Sequence, residues 1–137
     1  MHSTPLAVIN DLLVIEDLQE RLTAVLERSR HRATLPLEFR IDSNRVLGCQ
    51  SHVWIVAHLT PTHVRFTGDS DSPLVRGMVI LLCDCFSGDL TDVARSLKAG
   101  YDPIDALGLS KMLSLTRQRG LQAVRSRFLQ IVTTDGC

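Results

Sequence analysis

The chain has 137 residues, and its 15 lysines and arginines balance its 15 aspartates and glutamates, so no global field draws it to nucleic acid or an anionic membrane. Hydrophobic residues make up 45% and charged residues 22%, which excludes a disordered chain and fits a single domain that folds without a staple. The run Leu6-Ala7-Val8-Ile9 is cut by Asn10-Asp11, and the apolar stretch 75–86 is interrupted by Arg76 and Asp84, so neither reads as a leader or a membrane span and a cytoplasmic protein is expected.

In chain order, a short helix is expected over 6–13. A longer one follows, marked by Leu18, Leu22, Val25 and Leu26 on one face. Glu16 and Asp17 stand near its start and Arg28, Arg30 and Arg32 near its end, which complements the helix dipole. Thr34-Leu35-Pro36 closes the helical region, because proline cannot continue the hydrogen-bond ladder. Residues 37–44 read as a connection into a short first strand at 45–47. Val53, Ile55, Ala57 and Leu59 then alternate with His52, Trp54, Val56, His58 and Thr60, the period-two pattern of a second strand. After the Pro61-Thr62 turn, Val64 and Phe66 alternate with Arg65 and Thr67 in a third, giving an antiparallel meander.

Residues 68–71 are expected to break the sheet. Ser72 then serves as N-cap and Pro73 as first residue of a helix reaching about Phe86, apolar on nearly every side and therefore the buried central helix. Ser87-Gly88 stops it. Shorter helices follow over 91–98 and 103–107, and a last one carries Leu121, Val124, Phe128, Ile131 and Val132 on one face. The fold class is α+β: a three-stranded antiparallel sheet with helices packed on one face.

The cysteines are Cys49, Cys83, Cys85 and Cys137. Cys83 and Cys85 lack the spacing of a zinc knuckle and have no second paired motif, so no metal is expected. Two apart on a helix, they point about 200° from each other and read as packing residues. Cys49 differs, because Gly48 before it suits a sharp turn and a strand follows, so its sulfur can be presented beyond the sheet. The thiolate is the reactive form of cysteine, and access is half of reactivity.

Residues 45–55, Arg45-Val46-Leu47-Gly48-Cys49-Gln50-Ser51-His52-Val53-Trp54-Ile55, resemble the active-cysteine segment of the SufE family, sulfur acceptors of bacterial iron–sulfur cluster assembly. The likeness continues through Gly68-Asp69-Ser70-Asp71-Ser72-Pro73-Leu74-Val75-Arg76-Gly77, Leu107-Gly108-Leu109 and Arg117-Gln118-Arg119-Gly120-Leu121. It implies a single SufE-like domain over 1–137, with a core of about 11–132 and a SufE/IscU-like fold. It also implies that Cys49 takes a persulfide sulfur from a SufS-type cysteine desulfurase, stimulates that enzyme and passes the sulfur to a SufBCD-type scaffold. Partner contacts are implied at Gly48, Gln50, Asp71 and Arg117. Pyridoxal phosphate would belong to the desulfurase and no cofactor to this chain; a homodimer is left open.

The chain departs from the family pattern at Leu115, where proline is usual, in its extra cysteines and in a shorter hairpin. Two other classes stand beside this reading: a stand-alone thiol hydrolase or reductase, and a scaffold that itself holds a cluster. A hydrolase would use His52, whose strand position faces away from Cys49; a reductase would need a resolving cysteine close in sequence. A carried persulfide also benefits from shielding, so Cys49 is expected to turn partly inward toward Leu47, Val53, Trp54 and the central helix.

Overall fold

The computed structural model describes residues 5–134. Helices α1 (Pro5–Leu13) and α2 (Leu18–Arg30) lead through single 3-10 turns at Leu37–Phe39 and Asp42–Asn44 to the hairpin of β1 (Val53–Leu59) and β2 (His63–Ser70). Then come α3 (Pro73–Cys85), β3 (Gly88–Asp89), α4 (Leu90–Lys98), α5 (Pro103–Ala106), a 3-10 turn at Leu109–Met112 and the long α6 (Leu115–Thr134). Short polar side chains start these helices by accepting otherwise orphaned backbone N–H groups. Asp17 accepts from Glu20, Ser72 from Val75, Asp89 from Asp92, and Asp102 from Ile104 and Asp105. Ser114 accepts from the Arg117 N–H and so begins α6 without the family's usual proline.

The sheet is antiparallel in the order β1-β2-β3, with register running from Val53↔Ser70 to Leu59↔Val64. The fold class matches expectation, but the third strand is a different one. Residues 45–47 make only the Arg45↔Trp54 bridge and a Val46 N–H bond to the Val53 carbonyl before the chain turns away at Gly48. The third strand is instead Gly88–Asp89, paired with His63 and Val64. Nor do residues 68–71 end the sheet, since β2 runs through Ser70. Gly68 is there for close packing: a Cβ would lie 2.7 Å from Ile55 Cδ1 and 2.8 Å from Val79 Cγ1, where β1 and α3 press on β2.

Alternation along the hairpin buries Val53, Ile55, Val64 and Phe66 against α3, which contributes Met78, Val79, Leu81, Leu82 and Cys85. On the other side of this core, α6 inserts Val124 and Phe128, whose ring stacks on Phe66 at a centroid distance of 4.1 Å and meets Phe86 edge-on. Each such side chain contributes about 1.5–3 kcal/mol through burial. The helical layer therefore covers one sheet face, and the segment 33–40 crosses the other, where Arg40 lies over the Trp54 ring at 5.1 Å.

A buried carboxylate joins these parts. Asp69 accepts from the Leu35 N–H (2.8 Å), the Ser70 N–H (2.8 Å), Arg40 (2.7 Å) and Arg76 (2.8 Å). Arg76 also donates to the carbonyls of Ser29 and Arg32 at the end of α2. Asp69 is thus the knot that ties α2, segment 33–40, β2 and α3. Burial alone would raise its pKa, but the Leu35 and Ser70 N–H bonds and the Arg76 guanidinium outweigh it and hold the carboxyl below its ordinary 3.8. A lowered pKa gives stability that is present above the ordinary value and lost as pH falls toward the folded one. Asp69→Asn, which strands two arginines, is expected to cost about 3 kcal/mol in urea unfolding at neutral pH. The same change should flatten the stability loss seen in the parent protein below about pH 4.

Candidate functional site

The site forms where the loop before β1 meets the first turns of α6. Gly48 adopts φ +93°, a backbone that side chains with a Cβ rarely take, and this reverses the chain just before Cys49. The turn does not project the thiol past the sheet. It carries Cys49 against α6, where its Sγ donates to the Gly120 carbonyl at 3.2 Å and the side chain is half-buried. The contact depends on a second glycine, because a Cβ on Gly120 would stand 3.3 Å from Sγ and 3.5 Å from the Cys49 Cα.

A cavity of about 300 Å³ opens beside the sulfur. Its apolar wall is Val75 and Leu121, and its polar rim comprises Gln50, Ser51, Thr116 and Arg117. Burial pushes the Cys49 thiol up from its ordinary value, partly opposed by the positive charge of Arg45. In this arrangement the group is therefore a protonated, sheltered thiol, one hydrogen bond from the backbone and open on one side to the cavity.

Of the residues singled out from sequence, Gln50 and Arg117 line this cavity, Gly48 makes the turn, and Asp71 stands apart from the sulfur in a clamp of its own. The exposed Asp71 carboxylate accepts the His52 N–H at 3.1 Å and lies 3.3 Å from His52 Nδ1, while the Asp71 N–H returns a bond to the His52 carbonyl. This ties the end of the Cys49 loop to the turn entering α3. His52 is thus engaged by Asp71, with its ring 5.8 Å from that of Trp54, and these contacts account for it without the thiol.

The inward turn of Cys49 agrees with expectation, and so does shelter from the central helix, through Val75, but the other expected neighbours are not there. Leu47 points to solvent at 79% exposure, Val53 is in the core, and Trp54 lies on the outer face beneath Arg40. The shelter is α6 together with Val75 of α3, and the contribution of Gly120, Thr116, Ser51 and Leu121 was missed from sequence. A glycine interrupting an otherwise favourable helix was the available signal, since it costs about 1 kcal/mol there and calls for a packing reason.

The remaining cysteines differ sharply from Cys49. Cys83 and Cys85 are buried in α3; burial and then the neighbouring Asp84 charge push both thiols far up, Cys85 to about 12. Cys137 lies outside the described residues. His58 and His63 are exposed at the hairpin end. Among the described residues, no three His, Cys, Asp or Glu side chains are grouped as a metal site would require, and no helix is long and apolar enough to cross a membrane.

The chain matches the family model for the SufE Fe-S metabolism associated domain over residues 7–132. An uncharacterised SufE-like protein of Rhizobium etli is 32% identical over 124 residues, covering 88% of this chain and 83% of that protein. An uncharacterised SufE-like protein of Rhizobium meliloti is 31% identical over 124 residues, covering 88% of each. In three dimensions the chain resembles the solution structure of a hypothetical protein from Thermus thermophilus, with a TM-score of 0.70, 21% identity and 98% of both chains covered, which speaks to the fold. With the family model spanning nearly all of it, the chain belongs to the SufE family, whose domain is associated with iron–sulfur metabolism.

Proposed function

We propose that this protein is a sulfur carrier, accepting the outer sulfur of a SufS-type desulfurase's persulfide on Cys49 and delivering it to a SufBCD-type scaffold. The observation that carries the reading is the Cys49 thiol itself: a single half-buried sulfur on a glycine turn, beside a cavity with room for one more sulfur atom. The balance of the step is that of thiol–disulfide exchange. Cys49 gives up its proton, and its thiolate attacks the outer sulfur of the donor persulfide. A new bond forms to Sγ, the donor's sulfur–sulfur bond breaks, and the electron pair leaves with the donor cysteine, whose thiolate takes up a proton in place of the one Cys49 released. Delivery repeats the exchange with the scaffold's cysteine as nucleophile. Pyridoxal phosphate enters only in the donor enzyme, where it releases the sulfur from free cysteine.

The resting geometry suits a carrier that is quiet until docked. A buried, protonated thiol reacts slowly with small electrophiles, and ionisation becomes favourable once a partner supplies charge around it. Gly48 and Gln50 are both exposed at the turn, with Arg117 on the facing helix and Asp71 at the loop's far end. Together they offer a partner both signs of charge around the sulfur.

Cys49→Ser is expected to keep the fold and abolish stimulation of sulfide release by the cognate desulfurase, whereas Cys83→Ala and Cys85→Ala keep most of it. Full stimulation by Cys49→Ser contradicts the carrier role. Separately, Asp71→Arg and Arg117→Ala are expected to weaken desulfurase binding in calorimetry while moving thermal stability little, because exposed charges contribute about 0–1 kcal/mol to folding. Unchanged affinity in both would return these residues to ordinary surface roles.

A further inference from the structure

Gly120 does two things for Cys49 that no other contact in the site duplicates. Its missing Cβ leaves the space in which Sγ sits, and its carbonyl is the acceptor to which Sγ–H donates at 3.2 Å. At the sixth residue of α6 this carbonyl already faces the N–H four residues on, so Sγ–H takes its second lone pair, and Gly120 itself is buried beneath the loop. We infer that Gly120 is a positioning residue that latches the empty carrier and releases the loaded one. The inference rests on the carrier reading and adds to it a rule for when the Cys49 loop is held back and when it is presented.

The chemistry follows from counting hydrogens and lone pairs. In the unloaded protein Sγ bears the one hydrogen that the Gly120 carbonyl accepts. Sulfur transfer removes that hydrogen: the proton leaves, Sγ becomes a bridging atom bonded to Cβ and to the new outer sulfur, and any remaining hydrogen resides on that outer atom. Sγ then faces the carbonyl with lone pairs only, so an attractive contact becomes a repulsive one. A persulfide is moreover a stronger acid than a thiol, and its charge sits on the outer sulfur. That anion is repelled by the carbonyl and drawn to donors, which the cavity rim provides in the hydroxyls of Ser51 and Thr116 and the guanidinium of Arg117. Thr116 and Arg117 are exposed whereas Gly120 is buried, so loading breaks the buried bond to Gly120 and moves the sulfur toward the rim, and unloading restores it. The Gly48 turn is the hinge, because the chain on its far side is tied down by the Val46–Val53 bond and by the Arg127 contacts to the Ser43 and Arg45 carbonyls. On the near side the His52–Asp71 clamp holds the start of β1. Motion is thereby confined to residues 47–51.

The test loads the protein without any desulfurase. A Cys137→Ser chain is treated with inorganic polysulfide, one added sulfur on Cys49 is verified by mass spectrometry, and amide hydrogen exchange is compared with the thiol form. Peptides covering 47–51 and 117–121 are expected to exchange about two- to tenfold faster when loaded, the worth of one hydrogen bond in a local opening equilibrium. Cys49→Ala, which lacks the donor, should exchange as fast as the loaded form, and Cys49→Ser, which keeps one, should stay slow. Gly120→Ala supplies a second arm. The added Cβ displaces Sγ, so alkylation of unloaded Cys49 by iodoacetamide should quicken and its pH midpoint should fall. Fold loss is not expected to obscure this, since alanine favours a helix interior over glycine by about 1 kcal/mol. Identical exchange in thiol and persulfide forms, or an alkylation profile unmoved by Gly120→Ala, overturns the latch. Because loading is chemical, these results stand apart from the carrier reading, which fails on its own if the desulfurase never delivers sulfur to Cys49.

Discussion

The Asp69 carboxylate is the constraint on which the arrangement rests. It lies at the end of β2 where four segments converge, and it holds them with two backbone N–H groups and two guanidiniums. A buried charge of this kind is a weak source of net stability, but a demanding one: its partners have no equally good alternative once the carboxylate is removed. That demand sets the geometry of the neighbouring turn. Ser70 and Asp71 follow directly, Asp71 captures His52, and His52 closes the loop that carries Cys49. The placement of the sulfur is thus traceable to an aspartate on the opposite strand.

Within that arrangement, reactivity is set by two competing effects at Cys49. Burial against α6 favours the neutral thiol, and the Arg45 charge favours the thiolate; burial is the larger. Cys83 and Cys85 experience the same penalty with the Asp84 carboxylate added, which leaves them far less ionisable. The three described cysteines are therefore sorted by environment alone, and of them only Cys49 is near enough to solvent for a partner to reach it.

Much of this was legible from the sequence. The period-two alternation of Val53 to Leu59 and of Val64 and Phe66, the Ser72-Pro73 helix start and the apolar run of α3 each state a local preference that the tertiary structure keeps. Where sequence misled, a long-range contact decided. Gly68 has the look of a turn glycine, yet it lies within β2 because Ile55 and Val79 need the space of its missing side chain. Ser87-Gly88 reads as a helix stop, yet Gly88 also opens the strand Gly88–Asp89, since the adjacent edge of β2 stands open to pair with it. The site shows the same division. Gly48 and Cys49 announce themselves within one turn of chain, whereas Gly120 lies 71 residues from Cys49 and acquires meaning only when α6 folds back over the loop.

The central claim is that sulfur travels through Cys49 and no other residue. It is tested most directly by incubating the protein with its desulfurase and isotopically labelled cysteine, digesting without reductant, and locating the label by mass spectrometry. Trypsin separates Cys49, in the peptide 46–65, from Cys83 and Cys85, in the peptide 77–95. One added labelled sulfur is expected on 46–65 and none on 77–95. Label on the buried pair, or an unlabelled 46–65 peptide while sulfide is being released, contradicts the claim.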